Sequence, residues 1–357
     1  MATSWKFYLN SNDAWDAMYR DCLSAKHSID IEQYIMKYEP ATARFFEVCM
    51  EKARAGVAVR LLCDMVGSYQ IYESPVINDL RDAGVQVRFV HPISPWRVTN
   101  FTSWLFRDHR KFLLVDGAIG HTGGVGLNEK TKNWRDTNIR LIGPVVGSMQ
   151  EEVDAMWKAV AMGTVSRTGR KRASSQDGFM LLTNAARFRR RAMYKNMSRT
   201  IKQAKRFAYF TTPYFIPPIR LFRKLVKAAR RGVDVRILVP LSSDIGIVDY
   251  VSQSFFTLAL KSGIRLYRYQ PDMIHSKTAV IDDAWATIGS MNLNNQSFKY
   301  SYEANIVTTD SACIAELKEQ FLTDLDHAQE LHLETWEQRS LLSKFLEFFT
   351  WPLHGFF

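Results

Sequence analysis

Apolar and polar positions along this chain repeat one programme twice. In the first half, period-two or continuous apolar runs predict strands at Ser28–Ile35, Val57–Cys63 and Val85–Val90, and helical periodicity predicts helices at Ala41–Arg54 and Ser74–Ala83. After about residue 185 the order returns: helix Ala192–Lys205, strand Phe207–Thr212, helix Ile219–Arg231, strand Val233–Val239, helix Tyr250–Lys261 and strand Ile264–Tyr269. Strands separated by helices imply right-handed crossovers over a largely parallel sheet, so the expected fold class is α/β.

The two halves also echo one another residue by residue. Ala53-Arg54-Ala55-Gly56-Val57-Ala58-Val59-Arg60-Leu61-Leu62 is matched by Ala229-Arg230-Arg231-Gly232-Val233-Asp234-Val235-Arg236-Ile237-Leu238, and Gly84-Val85 by Gly263-Ile264. Echoes that keep their order argue for duplication. Between the halves, Thr164–Gly178 replaces apolar periodicity with Ser, Gly, Arg and Lys and reads as an exposed linker. The expected organisation is a first domain at 1–163, a basic linker at 164–178, a second domain at 179–335 and an aromatic amphipathic tail at 336–357. The basic runs in the linker and at Arg187–Arg191 are compatible with a solvated surface or a ligand groove.

Composition narrows the partners. The 357 residues and 46 % apolar content suffice for two cores and exclude disorder as the main state, while 47 Lys and Arg against 36 Asp and Glu favour anionic partners. Cys22, Cys49, Cys63 and Cys313 lack metal or redox spacing and read as core thiols. The opening residues show no signal-peptide core, and no apolar run approaches the ~20 residues that cross a bilayer, so a soluble or peripheral protein is expected.

The chemistry is carried by His109-Arg110-Lys111-Phe112-Leu113-Leu114-Val115-Asp116 and His275-Ser276-Lys277-Thr278-Ala279-Val280-Ile281-Asp282. On an extended strand the histidine and lysine of each segment share one face, so an imidazole and an ammonium meet one phosphate together. Each segment ends in Asp before a turn, and each is followed by a Gly-rich element, Gly123-Gly124-Val125-Gly126-Leu127-Asn128 and Gly289-Ser290-Met291-Asn292. Asp136 follows His109 and Glu303 follows His275 at nearly equal separation, giving each imidazole a carboxylate candidate in its own half. One neutral imidazole is a competent nucleophile at phosphorus, and a second, protonated one supplies the proton that an alkoxide leaving group needs. Lys111 and Lys277 would hold the nonbridging oxygens. Neither metal nor other cofactor is expected, because two cations and two imidazoles already surround the phosphate.

These paired segments resemble the signature of the phospholipase D superfamily, over about Ser11 to Glu330. Within it the chain is similar to the bacterial cardiolipin synthase branch through Ile31-Glu32-Gln33-Tyr34-Ile35, Trp134-Arg135-Asp136-Thr137-Asn138 with Gly143-Pro144, and Thr212-Pro213-Tyr214-Phe215-Ile216-Pro217. The resemblance implies a duplicated fold of two mixed, mostly parallel sheets flanked by helices, with pseudo-twofold symmetry and both motifs in one cleft. It also implies a phosphohistidine on His109, His275 as acid and then base, and phosphate binding by Lys111, Lys277, Asn292 and Ser290. Asp136 and Glu303 match the positions that steady the rings, and Asp116 and Asp282 the aspartates that hold strand and turn. The first half departs at one place: Gly126 stands ten residues after Asp116, where Asn292 stands ten after Asp282. Either Asn128 reaches in from a reshaped turn as a phosphate ligand, or that side has one donor fewer.

The resemblance suggests transfer of phosphatidyl from one phosphatidylglycerol to another; the motifs alone also admit a phospholipase releasing phosphatidic acid, a phosphodiesterase or nuclease, or a lipid-binding module without turnover. Lipid is favoured by the tail Leu341–Phe357, rich in Phe, Leu and Trp, which either lies in a bilayer interface or packs back on the body. Pro92–Phe106, with Trp96, Phe101 and Trp104 ahead of His109, reads as acyl-chain entrance or core. The expected partners are phosphatidylglycerol and other anionic phospholipids, with nucleic acid disfavoured, and the expected place is peripheral, on the cytoplasmic face of the bacterial inner membrane.

Overall fold

A computed structural model describes residues 2–90, 106–164, 177–185, 190–270 and 273–357, with backbone alone at 190 and 191. Most of the linker, the run at Arg187–Arg191 apart from that backbone, and the aromatic segment before Phe106 lie outside the described residues. The first half contributes strands β1 (Ser4–Asn10), β2 (Ser28–Gln33), β3 (Ala58–Asp64), β4 (Gln86–Val90), β5 (Arg107–Asp108), β6 (Phe112–Val115), β7 (Ile119–Gly123) and β8 (Arg135–Ile142). The second contributes β9 (Phe179–Ala185), β10 (Arg190–Arg191), β11 (Phe207–Thr211), β12 (Asp234–Pro240), β13 (Arg265–Tyr269), β14 (Thr278–Ile281), β15 (Trp285–Gly289), β16 (Ser301–Thr308) and β17 (Ala328–Leu331).

Two mixed sheets result, ordered β1-β8-β7-β6-β2-β3-β4 and β10-β9-β16-β15-β14-β11-β12-β13-β17. The doubled βαβ programme appears as β2-β3-β4 and β11-β12-β13, each paired in parallel. The sheets are not mostly parallel, however. β6, β7 and β8, like β14, β15 and β16, pair antiparallel. For β6–β7 and β14–β15 the reason is connection length: the short turns Asp116-Gly117-Ala118 and Asp282-Asp283-Ala284 reverse the chain, whereas a parallel neighbour needs a crossover. The expected helix Tyr250–Lys261 is also two helices, Gly246–Gln253 and Phe256–Lys261, with Phe255 buried between them.

Helices cover the outer face of each sheet: Ser11–Ser24, Ala43–Arg54 and Val76–Asp82 on the first, Ala192–Gln203, Ile219–Arg230 and the split pair on the second. Between the sheets, residues of Pro144–Ala161 and Ser311–Asp326 join strand residues of both halves in one apolar cluster that includes Leu114, Ile139, Met149, Ile288, Ile306 and Leu317. This common core fixes one half against the other, and with it the spacing of anything built across their junction. All four cysteines are buried free thiols inside these cores.

Candidate active site

The two motif aspartates work away from the cavity. Asp116 and Asp282 take φ values of 53° and 55°, at the corner where each motif strand ends. Asp116 accepts from the backbone N–H of Lys26, His27 and Ser28 at 3.0, 2.7 and 2.8 Å, and Asp282 from Lys205, Arg206 and Phe207 at 2.6, 2.8 and 2.9 Å. Each carboxylate thereby ties the end of its motif strand to the start of the neighbouring strand, β2 or β11.

The motif histidines sit at the other end, where each chain segment crosses into the opposite half. β5 pairs in parallel with β16, and His109 N–H donates to Tyr302 O at 3.0 Å. Reciprocally, Ile274 bridges Arg135, and His275 N–H donates to Arg135 O at 2.7 Å. The carboxylates are therefore exchanged between halves, contrary to the expectation of pairing within each half. His109 Nδ1 lies 3.1 Å from both oxygens of Glu303, and His275 Nδ1 lies 2.7 Å from Asp136 Oδ2. Sequence separation could not show this, because equal offsets in two copies are compatible with either pairing. A carboxylate facing Nδ1 accepts its proton and leaves Nε2 for chemistry.

Each carboxylate is itself held. Ser290 Oγ and Ser297 Oγ both donate to Glu303, the latter at 2.6 Å, while the Thr137 N–H donates to Asp136 Oδ1 at 2.7 Å. The glycine at 124 belongs to this arrangement, since a Cβ there would stand 2.1 Å from Asp136 Oδ1. Ser290, expected as a phosphate donor, is fully buried and positions Glu303. Ser297, Tyr34 and Trp134 were not singled out as site residues by the sequence. The rings of Tyr34 and Trp134 flank His109 and His275 at centroid distances of 5.1 and 5.2 Å. Their signal lay in the runs Gln33-Tyr34-Ile35 and Trp134-Arg135-Asp136, which place an aromatic beside each crossing.

Lys111 and Lys277 are buried, and each donates from Nζ to the carbonyl oxygen of its own motif histidine. Burial pushes Lys111 down to about 8 and Lys277 to about 7, against the pull of nearby carboxylates. Burial likewise lowers His109, opposed by Glu303, and brings His275 to about 4, helped by the charge of Lys277 and opposed by Asp136. Burial raises Asp136, but His275 and Lys277 outweigh it and hold the carboxyl below its ordinary range. Burial, aided by the lysine charges, thus favours neutral rings in the free site. An anion that entered would relieve the like-charge repulsion and raise the proton affinity of the rings.

The geometry bears on the two alternatives left open for Asn128. Gly124 N–H donates to Thr137 O as Ser290 N–H does to Ala304 O, so the two turns begin alike. The turn is therefore in register: Gly126 corresponds to Asn292 and Asn128 to Asn294. Asn128 Oδ1 caps Lys130 N–H at 3.2 Å and Asn294 Oδ1 caps Ser297 N–H at 2.9 Å. Asn128 is a helix-capping residue on the cavity wall and no displaced copy of Asn292. Asn292 is buried on the cavity wall, with Oδ1 unpartnered among the described residues, whereas Gly126 offers no side chain at the corresponding place.

His109, Lys111, Asp136, His275, Asn292 and Glu303 all line a single cavity of about 400 Å³. Two imidazoles, each backed by a carboxylate, with two ammonium groups beside them, can carry out nucleophilic substitution at a phosphodiester with acid–base assistance. Fold and site together define a phospholipase D-type enzyme.

Comparison with known proteins makes the class specific. The model of the family described as "Cardiolipin synthase, PLD-like domain" matches residues 19–157 and 197–325, and the chain belongs to that family. It is 29 % identical over 370 residues to cardiolipin synthase 1 of Bacillus cereus, covering 97 % of this chain and 71 % of that one. It is 31 % identical over 348 residues to cardiolipin synthase A of Pseudomonas syringae pv. syringae, covering 94 % and 71 %. Among solved structures, phosphatidylserine synthase of Haemophilus influenzae superposes with TM-score 0.72 at 16 % identity, over 99 % of this chain and 95 % of that one, which shows the shared fold. The chain is accordingly a cardiolipin synthase-like phosphatidyltransferase.

Proposed function

We propose that the chain joins two phosphatidylglycerol molecules into cardiolipin and releases glycerol, in two displacements at His109. In the first, His109 Nε2 attacks phosphorus, the bond to the headgroup glycerol oxygen breaks, and His275 gives that oxygen a proton. In the second, His275 takes a proton from the glycerol hydroxyl of another phosphatidylglycerol. That oxygen attacks phosphorus, the P–N bond breaks, and His109 returns neutral. Lys111, Lys277 and Asn292 hold the nonbridging oxygens throughout.

His275 begins neutral, held there by burial and Lys277. The phosphodiester's own negative charge is what makes its protonation favourable, so the acid is charged when substrate is present. The observation that carries the reading is the convergence of both motif histidines, their exchanged carboxylates and Lys111 in one cavity of a cardiolipin synthase family member, with the Lys277 charge acting on both rings from behind the wall. Among the described residues no helix is long and apolar enough to cross a membrane. The reading puts the enzyme peripherally on anionic lipid, at the cytoplasmic face of the bacterial inner membrane. The net charge of +11 and four buried free thiols support that placement.

Purified protein incubated with phosphatidylglycerol vesicles should yield cardiolipin and free glycerol by mass spectrometry, and His109→Ala should abolish both. Chelation of divalent metal should leave turnover substantially intact. Phosphatidic acid as the sole lipid product would replace transfer by hydrolysis. Cleavage of single-stranded DNA with inertness toward lipid would overturn the lipid assignment.

A further inference from the structure

Helix Leu341–Thr350 is amphipathic in the reverse sense for a globular surface. Its polar residues Glu347 and Thr350 face inward and are buried. Arg339 grips the Glu347 carboxylate with two contacts of 2.6 Å, and the Trp351 ring packs 5.1 Å from that of Phe255. On the opposite face Leu341, Leu342, Phe345, Phe348 and Phe349 are 82, 67, 60, 79 and 71 % exposed. Their spacing of i, i+1, i+4, i+7 and i+8 makes one continuous apolar stripe. The two sequence readings of the tail thus apply to its two faces: one packs back on the body, and the other is bare.

The stripe does not stand alone. The helix packs against Gly246–Gln253, at whose beginning Ile245 and Ile247 are 45 and 46 % exposed. Ile245 also lines the cavity that holds His109 and His275. Exposed apolar side chains therefore stand on the outer helix, on the helix it packs against and, through Ile245, in the wall of the site. A second protein seated along this stripe and over Ile245 would obstruct the route of a two-chain lipid, whereas a bilayer there supplies such lipids directly. The same segment is fastened to the site from beneath: Asn295 Nδ2 donates to His354 O and Gln296 N–H to Phe357 O, both at 2.7 Å. Gln296 and Ser297 of the short helix Asn295–Lys299 line the cavity, and Ser297 holds Glu303.

We propose that the stripe Leu341–Phe349, continued by Ile245 and Ile247, is the bilayer-docking face of the enzyme and presents the cavity to the lipid surface. The occupant is the acyl-chain boundary of an anionic membrane, entered by Phe and Leu side chains to a depth of roughly 5–10 Å, with Lys344 and the positive charge of the chain attracting headgroups. This rests on the lipid reading of the site and adds which surface meets the membrane and which way the cavity faces.

The test uses the full chain and vesicles of phosphatidylglycerol and phosphatidylethanolamine in flotation assays. The triple variant Leu341→Gln, Phe345→Gln, Phe348→Gln removes apolar contact without adding charge, and its bare positions leave the thermal midpoint unchanged. It should partition into vesicles at least ~10-fold more weakly than the parent. Turnover of vesicle phosphatidylglycerol should fall in parallel, while turnover of a short-chain phosphatidylglycerol below its critical micelle concentration should stay at the parent level. A single-cysteine variant, Phe348→Cys carrying an environment-sensitive dye, should brighten on vesicle addition and be quenched by bromine on the acyl chains. Parental vesicle partitioning by the triple variant overturns the proposal, as does a dimer in the parent that the triple variant converts to monomer while vesicle binding persists. Failure of the lipid-transfer reading is separable, since it would show as no turnover of either lipid with stripe-dependent flotation intact.

Discussion

Exchange of the carboxylates between halves makes a prediction that pairing within halves would invert. Asp136→Asn removes the charge on His275 although Asp136 belongs to the half that carries His109; Glu303→Gln acts on His109 from the other half. The bonds at stake are the 2.7 Å contact of Asp136 with His275 and the paired 3.1 Å contacts of Glu303 with His109. A hydrogen bond to an ionised group contributes about 1.5–3 kcal/mol, or ~10- to ~150-fold in a rate that depends on the ring it orients. On phosphatidylglycerol, whose glycerol must be protonated as it leaves, both variants should lose activity within that range. A phosphatidyl ester of p-nitrophenol needs no proton on its leaving group, so it separates them. The stopped-flow burst of nitrophenolate reports attack by His109 alone. Asp136→Asn should keep a burst close to the parent rate and then stall, as His275→Ala should. Glu303→Gln should slow the burst itself by the full factor. A burst slowed by Asp136→Asn and spared by Glu303→Gln would refute the crossed assignment, and equal slowing by both would refute the division of roles between the rings.

Four further outcomes follow from the geometry. Both motif rings have lowered pKa values in the free enzyme, so the acid limb of kcat/KM, where His109 takes up a proton and ceases to attack, should fall below the ordinary imidazole value of 6.5; the alkaline limb should rise in KM as Lys277 and Lys111 lose charge near their values of about 7 and 8, and Lys277→Arg should push it upward. Gly124→Ala should cost about 10- to 100-fold in kcat with little change in unfolding midpoint, because a Cβ placed 2.1 Å from Asp136 Oδ1 displaces the carboxylate from His275. Asp116→Ala, which strips acceptors from three backbone N–H groups, should lower stability by about 2 kcal/mol in denaturant unfolding, with Asp116→Asn intermediate because asparagine keeps an acceptor and tolerates the positive φ. Asn292→Ala should raise KM for phosphatidylglycerol more than Asn128→Ala, whose effect should appear in thermal stability; equal effects on KM would show that Asn128 also binds phosphate.

The sequence alone determined what depends on local order. Period-two and 3.6-residue patterns marked β2, β3 and β4 and their counterparts, because a half-buried strand and an amphipathic helix must repeat with those periods. Two His-x-Lys pairs ahead of Gly-rich turns marked the chemistry, because a strand puts such side chains on one face. The antiparallel strands β7, β8, β15 and β16 were less legible. They are buried or lie beside short turns, and a central strand carries little alternation to read. Which carboxylate serves which ring was decided only by tertiary structure: β5 and the chain at Ile274 cross the junction and pair with the other half, an arrangement set by docking across the shared core. The status of Asn128 was likewise decided in space, since only the structure shows its Oδ1 capping Lys130 N–H as that of Asn294 caps Ser297 N–H. So was the sense of helix Leu341–Thr350. Its sequence shows an apolar face and a polar one, but only the burial of Glu347 under Arg339 shows that the polar face turns inward and leaves the apolar one to the outside. Local periodicity specifies faces and spacings, whereas the choice of what each face meets belongs to long-range packing.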